Sequence, residues 1–168
     1  SGRTRPATPS STLLAAVLTQ VTVTRPQTVT FTVTTQAALF ATVDVTARVA
    51  LVAGATGATT GTNVLEALRD LFAALDADGN LHPNVDFGAN LAAANGIITG
   101  EVPWSSIFNA IRDAAGVRKV DEGPTGLLVN GLRQSVFLNP REYPRLRNIT
   151  ITDLDTGAVL VSAAEPAV

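Results

Sequence analysis

The clearest pattern in the sequence is the alternation of apolar and polar residues along two neighbouring segments. In residues 28–34, TVTFTVT, valine and phenylalanine alternate with threonine, and in residues 43–51, VDVTARVAL, apolar side chains alternate with Asp44, Thr46 and Arg48. A period of two places alternate side chains on opposite faces, so each segment is predicted to be a half-buried strand. Because the connection between them is short, we expect the two strands to pair as an antiparallel hairpin.

Three segments show the period of an amphipathic helix. Residues 11–20 form a short one, and residues 63–75 carry an apolar stripe behind a cap at Thr62 or Asn63. The third helix begins at Pro103 and ends before a glycine. Its apolar stripe and that glycine are Trp104, Ile107, Phe108, Ile111 and Gly116. We expect the helix over residues 63–75 to pack on the apolar face of the hairpin.

Two stretches between these elements have no sustained period. Residues 54–62, GATGATTGT, are predicted to be a flexible loop, and they lack the lysine and the glycine spacing of a phosphate-binding loop. Residues 76–101 are rich in glycine, asparagine and aspartate. They are predicted to form a long excursion between the two helices.

The rest of the chain is predicted to be β. A strand follows at residues 117–120, and the turn signals Asn130-Gly131 and Asp155-Thr156-Gly157 predict two hairpins over residues 127–138 and 148–161. The predicted fold is α+β, with a β-hairpin and two amphipathic helices packed on a mixed or antiparallel sheet, followed by further hairpins. We divide the chain into a linker and short helix (1–20), an α+β domain (21–121) and C-terminal hairpins (122–168).

Composition narrows the classes of function. The chain has no cysteine, which excludes disulfides, thiolate metal sites and a cysteine nucleophile. Its formal charge of −2 provides no basic surface for nucleic acid or for an anionic membrane. The uncharged spans 6–24 and 26–43 are too rich in Thr, Ser and Gln for a transmembrane helix. We therefore expect neither a nucleic-acid partner nor membrane insertion.

Few residues are suited to catalysis or metal binding. Residues 76–80, DADGN, begin like a calcium loop, but Leu81 and Phe87 stand where that loop needs a glycine and a bidentate glutamate. A polar turn that ends the helix is the simpler interpretation. His82 is the only histidine, which excludes a multi-histidine metal site. No set of titratable residues converges in the sequence, so we expect no catalytic site, no cofactor and no metal.

Residues 139–148, NPREYPRLRN, gather three arginines around the only tyrosine. The simplest interpretation is a solvated, proline-stiffened loop. The functional interpretation is a protein–protein contact, because exposed arginine and tyrosine are enriched at interface hot spots. The predicted contact residues are Arg141, Tyr143, Arg145 and Arg147, together with His82 from the excursion. Trp104 is assigned to the core, with its N–H bonded to a backbone acceptor or reaching the surface.

Taken together, the segments resemble the baseplate J-like family. Residues 24–54 resemble its hairpin, which follows an Arg-Pro pair, and residues 63–75 resemble the helix after it. Residues 100–121, GEVPWSSIFNAIRDAAGVRKVD, resemble its helix-to-strand passage, and residues 143–151 resemble its closing strand. The excursion over 76–101 departs from the family pattern, in which a tight turn is expected between the helices.

The resemblance implies a structural protein and not an enzyme. Members of that family are wedge components of the baseplate in phage tails and contractile injection particles, where they link the central hub to the periphery. By this resemblance the chain is the C-terminal portion of a wedge protein, present in several copies with other baseplate proteins in a six-fold assembly. It would belong to a virion tail or injection particle assembled in the bacterial cytoplasm.

An extracellular adhesin-like or carbohydrate-binding β module is the alternative. The threonine-rich strands and the hairpins favour it. The two amphipathic helices and the absence of an aromatic platform in the sequence weigh against it.

Overall fold

One long strand runs through the centre of the fold. The computed structural model describes residues 8–24, 33–37, 39–73, 91–92, 98–139 and 142–166. Within them the elements are, in chain order, α1 (Ser11–Thr19), which a π-helical turn (Gln20–Thr24) follows, β1 (Leu39–Leu51), α2 (Gly57–Leu71), β2 (Leu91–Ala92), β3 (Ile98–Val102), α3 (Trp104–Arg112), β4 (Val117–Val120), β5 (Leu127–Val129), β6 (Val136–Leu138), β7 (Glu142–Asp153) and β8 (Val159–Ala164). The predicted α+β class is confirmed.

The larger sheet is mixed and has β1 at its centre. β4 and β5 lie end to end along one edge of β1, both antiparallel to it. β7 lies along the other edge and runs parallel to β1, and β8 pairs antiparallel with β7. The strands β5, β7 and β8, from the predicted C-terminal hairpins, therefore belong to the same sheet as β1.

The strand prediction for residues 43–51 is confirmed, but its predicted neighbour is not what pairs with it. Val43, Val45, Ala47 and Val49 are buried, as the alternation predicts. Residues 28–32 lie outside the described residues, and Val33 and Thr34 are not in a strand. Over residues 45–49, β4, β5 and β7 fill both edges of β1. Alternation identifies a strand but not the strand beside it, which is why the pairing prediction was wrong.

The helix α2 begins within the predicted flexible loop 54–62. Thr56 caps it by accepting a hydrogen bond from the Thr59 N–H at 3.3 Å, so the predicted cap at Thr62 or Asn63 was wrong. Glycines within the helix are used for close packing. A Cβ on Gly61 would lie 2.6 Å from the carbonyl oxygen of Leu160 in β8. The glycines therefore allow α2 to approach the sheet, and they do not indicate a flexible segment here.

The predicted helix after Pro103 is confirmed. α3 begins at Trp104 and ends at Arg112, with Pro103 at its N-cap. Gly116 follows with a φ of +94°, and a Cβ there would collide with the Thr60 side chain of α2. α2 contacts β7, β8 and α3, while α3 contacts β4, so the two helices cover the apolar face of the sheet. The largest fully buried side chains of this core come from both helices and from the strands: Leu68, Ile107, Ile111, Leu127, Leu138, Ile149 and Ile151.

The Asn130-Gly131 sequence forms a tight turn but not the predicted hairpin. Asn130 and Gly131 have φ values of 51° and 77°, the positive pair that a two-residue turn requires. The chain then diverges, since β5 pairs with β1 whereas β6 pairs with β3 in a small sheet of β2, β3 and β6. The end of the predicted excursion 76–101 thus supplies strands. Its calcium-like residues 76–80 lie outside the described residues.

The hairpin predicted over residues 148–161 is confirmed by the pairing of β7 with β8. Asp153 stabilises its turn by accepting from the Thr156 hydroxyl at 2.7 Å and from the Asp155 N–H at 3.0 Å. Gly157 supplies the positive φ of 72° that ends the turn.

The short helix predicted over residues 11–20 is also present, as α1. It has no buried residue, and Leu13 and Val17 on one face are 54% and 46% exposed. Among the helices of the described ranges, none is long and apolar enough to cross a bilayer.

Candidate functional site

Three of the predicted contact residues lie together on β7. Tyr143, Arg145 and Arg147 are in this strand, so the predicted loop over residues 139–148 is a strand from Glu142 onward. Arg141 and His82 lie outside the described residues. The loop interpretation was wrong because β1 is long enough to provide a parallel partner for the whole of β7.

Among the described residues, the larger sheet narrows to two strands at one end. β5 pairs with β1 only from Val45 onward, and β8 pairs with β7 only from Asn148 onward. Residues 39–43 and 142–146 therefore pair only with each other, and we call this pair of segments the two-stranded extension. Pro144 lies in it, opposite Ala41 of β1, and proline in sheets is largely confined to edge strands.

The outer face of the extension, opposite the core, carries two aromatic rings and an arginine. Phe40 and Tyr143 are directly opposite each other in the register of β1 and β7. The guanidinium carbon of Arg145 lies 6.0 Å from the centre of the Phe40 ring, within the range of a cation–π interaction. Burial raises the pKa of the Tyr143 phenol above its ordinary value of 10.0, which further favours the protonated hydroxyl that can donate.

Arg147 has a different environment from Arg145. Val43 pairs with Leu146 and Val45 with Ile149, so Arg147 and Asn148 together oppose Asp44 in a β-bulge. The Arg147 Nε donates to the Asp44 carboxylate at 2.8 Å, and a terminal guanidinium nitrogen donates to its second oxygen. The Asn148 backbone and side-chain nitrogens donate to the same carboxylate at 3.2 and 3.0 Å.

These contacts explain the titration of Asp44 and the role of Arg147. The hydrogen bond from Arg147, with further bonds from Asn148, lowers the pKa of the Asp44 carboxyl below its ordinary value. Arg147 is therefore bonded within the fold, across β1 and β7. Arg145 has no carboxylate partner in the part of the chain that the structure describes, which leaves its donors available to a ligand.

Asp44 also connects β1 to the turn after β5. Its N–H donates to the Asn130 side-chain oxygen at 2.8 Å, and its carbonyl accepts from the Asn130 N–H at 2.9 Å. The Asn130 amide group donates to the Thr42 carbonyl at 3.2 Å. Asp44 thus joins the bulge to the turn after β5, and Asn130 joins that turn to Thr42 in the extension.

Trp104 lies partly buried against the core. Its indole N–H donates to the Leu127 carbonyl at 3.2 Å, and its ring stacks on Phe108 with the centres 5.1 Å apart. The Arg133 guanidinium lies over the indole, also at 5.1 Å. Ile107 and Ile111 on the same helix are fully buried. These contacts engage the indole within the fold, where it joins α3 to β5.

A shallow groove of about 280 Å³ lies between α2 and α3. Alanines and a leucine line it, and Asp70 and Asp113 are its polar residues. Asp113 pairs with Arg112 at 2.9 Å. Within the described ranges, no three His, Cys, Asp or Glu side chains come together as a metal site. The outer face of the extension, with two aromatic rings and an arginine that pairs with no carboxylate there, is the better candidate for a contact site.

The sequence pattern identified part of this site. Tyr143 and Arg145 were among the predicted contact residues, whereas Phe40, Asp44 and Asn130 were not. Phe40 had a signal, because the period of two places it on the polar face of the strand with Thr42 and Asp44, where an aromatic ring is unexpected. The bond between Asp44 and Arg147 had none, since the two residues are 103 positions apart.

The chain matches no model of a known protein family, and no curated protein matches it either.

Proposed function

We propose that this chain is a structural module of a phage tail or contractile injection particle, and that it acts through protein–protein contacts in the baseplate. The observation that supports a structural role is the distribution of its exposed apolar side chains over several elements. Leu13, Val17 and Val23 follow one another along α1 and the π-helical turn, and Phe137 on β6 is 69% exposed. Leu13 and Val17 are one helical turn apart on α1, so they share a face, and exposed apolar side chains that share a face are typical of contact sites between proteins.

The particular assembly comes from the resemblance of residues 100–121 and the segments around them to the baseplate J-like family. It favours a wedge module with several copies in a six-fold tail-end ring, next to other baseplate proteins. The protein would then be located in a virion tail or in an injection particle assembled in the bacterial cytoplasm. The proposed role is structural and not catalytic.

Purified particles provide the test. Particles from cells that produce the protein are separated on a density gradient, and the tail end is imaged by electron microscopy for a six-fold ring that contains this chain. A double variant with Leu13→Asp and Val17→Asp is expected to lower incorporation, because it charges the apolar face of α1. The matched control, Thr12→Asp with Thr19→Asp, adds the same charge at polar positions of the same helix. Recovery of the chain only as a free monomer would contradict the proposal.

One observation favours the alternative, a carbohydrate-binding or adhesin-like module. Thr46, Thr150 and Ser162 align across β1, β7 and β8 on the face of the sheet that the helices leave open. Hydroxyl groups in such a row can bond sugar hydroxyls. Against it, the indole of Trp104 is engaged by Phe108, Arg133 and Leu127. Binding to a glycan array, with loss of binding in Thr150→Val, would favour this alternative.

A further inference from the structure

We infer that the outer face of the two-stranded extension binds an acidic segment of a partner protein, with a carboxylate on Arg145 and an apolar side chain against Phe40 and Tyr143. This inference rests on the proposed function and deepens it, since it names one contact surface and the chemistry of what docks there.

The charge of the extension favours an acidic partner. Arg147 and Asp44 neutralise each other through their hydrogen bonds at the bulge. Glu142, the carboxylate within the extension, accepts hydrogen bonds from Asn139 and alternates onto the opposite face with Pro144 and Leu146. Arg145 pairs with no carboxylate of the described residues, so it gives the outer face a positive charge. A guanidinium offers parallel N–H donors that match the two oxygens of a carboxylate.

The aromatic neighbours prepare Arg145 for binding. Its contact with the Phe40 ring restricts a long side chain that otherwise loses rotamer entropy when it binds. Phe40 and Tyr143 are opposite each other in the register and partly exposed, which provides apolar area beside the charge. Tyrosine and arginine together are the residue types that most often dominate the binding energy of protein interfaces.

The geometry favours docking on the face over addition of a strand at the edge. Pro144 lies in the part of β7 that has no β8 neighbour, and proline on an edge strand disfavours the addition of another strand. A nucleic acid is a poor occupant as well. Phosphate binding is built from several cations along a path, and the chain carries a formal charge of −2.

The test begins with selection of short displayed random peptides on the purified chain. Selected peptides are expected to be enriched in Asp and Glu next to a large apolar residue. One of them is then synthesised, labelled and titrated with the chain by fluorescence anisotropy. Arg145→Gln is expected to raise its Kd by about tenfold or more. Arg145→Lys, which keeps the charge and loses the planar fork, should fall between Arg145→Gln and the parent chain.

Two further variants make the result specific. Arg112→Gln, at an exposed arginine of α3, is the matched control and should leave the Kd unchanged. Phe40→Leu keeps an apolar side chain in β1 but removes the ring, and it should raise the Kd of the peptide a few-fold. Because this variant leaves Arg145 in place, it tests the site even where Arg145→Gln fails to fold, and circular dichroism shows which variants are folded.

The inference is overturned if the selected peptides lack acidic residues, or if Arg145→Gln binds them as tightly as Arg112→Gln does. Tighter binding of a random-sequence oligonucleotide at the same residues would also overturn it. The selection uses no tail particle. A negative result would therefore remove this surface without affecting whether the chain is found in particles.

Discussion

At the residue scale, single glycines allow neighbouring elements to approach each other. Gly116 has both a positive φ and a neighbour, Thr60, that an added Cβ would strike. Gly54 has a positive φ of 83° and no atom within 4 Å of the same position. A substitution at Gly54 therefore adds backbone strain alone, whereas a substitution at Gly116 adds both backbone strain and a steric collision.

Gly54→Ala is expected to lower the free energy of unfolding by about 1–2 kcal/mol, because only the left-handed backbone is strained. Gly116→Ala should lose about 1–3 kcal/mol more, since the methyl group also pushes Thr60 and α2 away from the strand that follows. Urea denaturation measures both losses. Equal losses in the two variants would show that the collision is relieved at no cost.

Asp44 provides a pH-dependent prediction. Its pKa is lower in the folded chain than its ordinary value of 3.8, mainly through the bond from Arg147. A depressed carboxyl pKa contributes stability above the ordinary value, and this stability is lost as the pH falls through the folded-state pKa. The parent chain should therefore be more stable than Asp44→Asn at neutral pH, and the difference should shrink in acid below about pH 4.

Denaturant unfolding of both proteins across the acid range measures this difference. Asp153, whose pKa the Thr156 hydroxyl also lowers, titrates in both proteins, so the comparison isolates Asp44. Arg147→Gln should reproduce most of the effect. A difference that stays constant from neutral pH into acid would refute the role given to the Asp44 carboxylate.

At the scale of elements, α2 rests on β8 through two glycines one helical turn apart. At Gly61 an added Cβ would meet the backbone oxygen of Leu160, which cannot move alone, whereas at Gly57 it would meet the end of the Leu160 side chain at 2.9 Å. Gly61→Ala should therefore cost about 1–3 kcal/mol of stability. Gly57→Ala should be nearly neutral, because better helix propensity of up to about 1 kcal/mol offsets a flexible contact. Calorimetric unfolding distinguishes the two, and a Gly61→Ala as stable as Gly57→Ala would contradict the close packing.

The turn at Asn130 leads to a second prediction at this scale, which concerns the stability of Asn130 variants. Its side chain bonds Asp44 and Thr42 of β1, and its positive φ of 51° disfavours most residues. Asn130→Gly keeps the backbone freedom and loses the side-chain bonds, for an expected loss of about 1–2 kcal/mol. Asn130→Ala loses the bonds and strains the backbone, so it should be less stable than Asn130→Gly by about 1 kcal/mol. The reverse order in urea denaturation would count against this account of the turn.

Elements with local signals were the predictable part of the fold. The helix period, Pro103 and Gly116 lie close together in sequence and predicted α3, and Asp155 with Gly157 predicted the turn between β7 and β8. The parallel pairing of β1 with β7 could not be predicted, because the side chains of a strand do not record which distant strand lies beside it. For the same reason the sequence could indicate both Arg145 and Arg147 as contact residues. It could not show that Arg147 bonds Asp44 within the fold whereas Arg145 does not bond a carboxylate of the described residues.

At the scale of the whole molecule, one core joins β1, α2, α3 and the later strands, while α1 contributes no buried residue to it. The Thr35 hydroxyl bonds the Leu14 carbonyl of α1 at 3.2 Å. Deletion of residues 1–24 is therefore expected to change the free energy of unfolding by about 1 kcal/mol or less. Urea denaturation of the shortened chain measures this, with single-transition unfolding expected for both lengths. A larger loss would show that α1 stabilises the core.

The position of β1 also determines the order in which the chain can fold during its synthesis. Of the strands that the structure describes, those beside β1 are β4, β5 and β7, and each comes later in the chain. Pairing with β7 closes a loop of about a hundred residues, which makes it a slow step in folding. A nascent chain therefore carries β1 with one edge unpaired until β7 has left the ribosome, although β4 and β5 leave it earlier. An unpaired strand edge of this kind can pair with another chain, which is a route to aggregation.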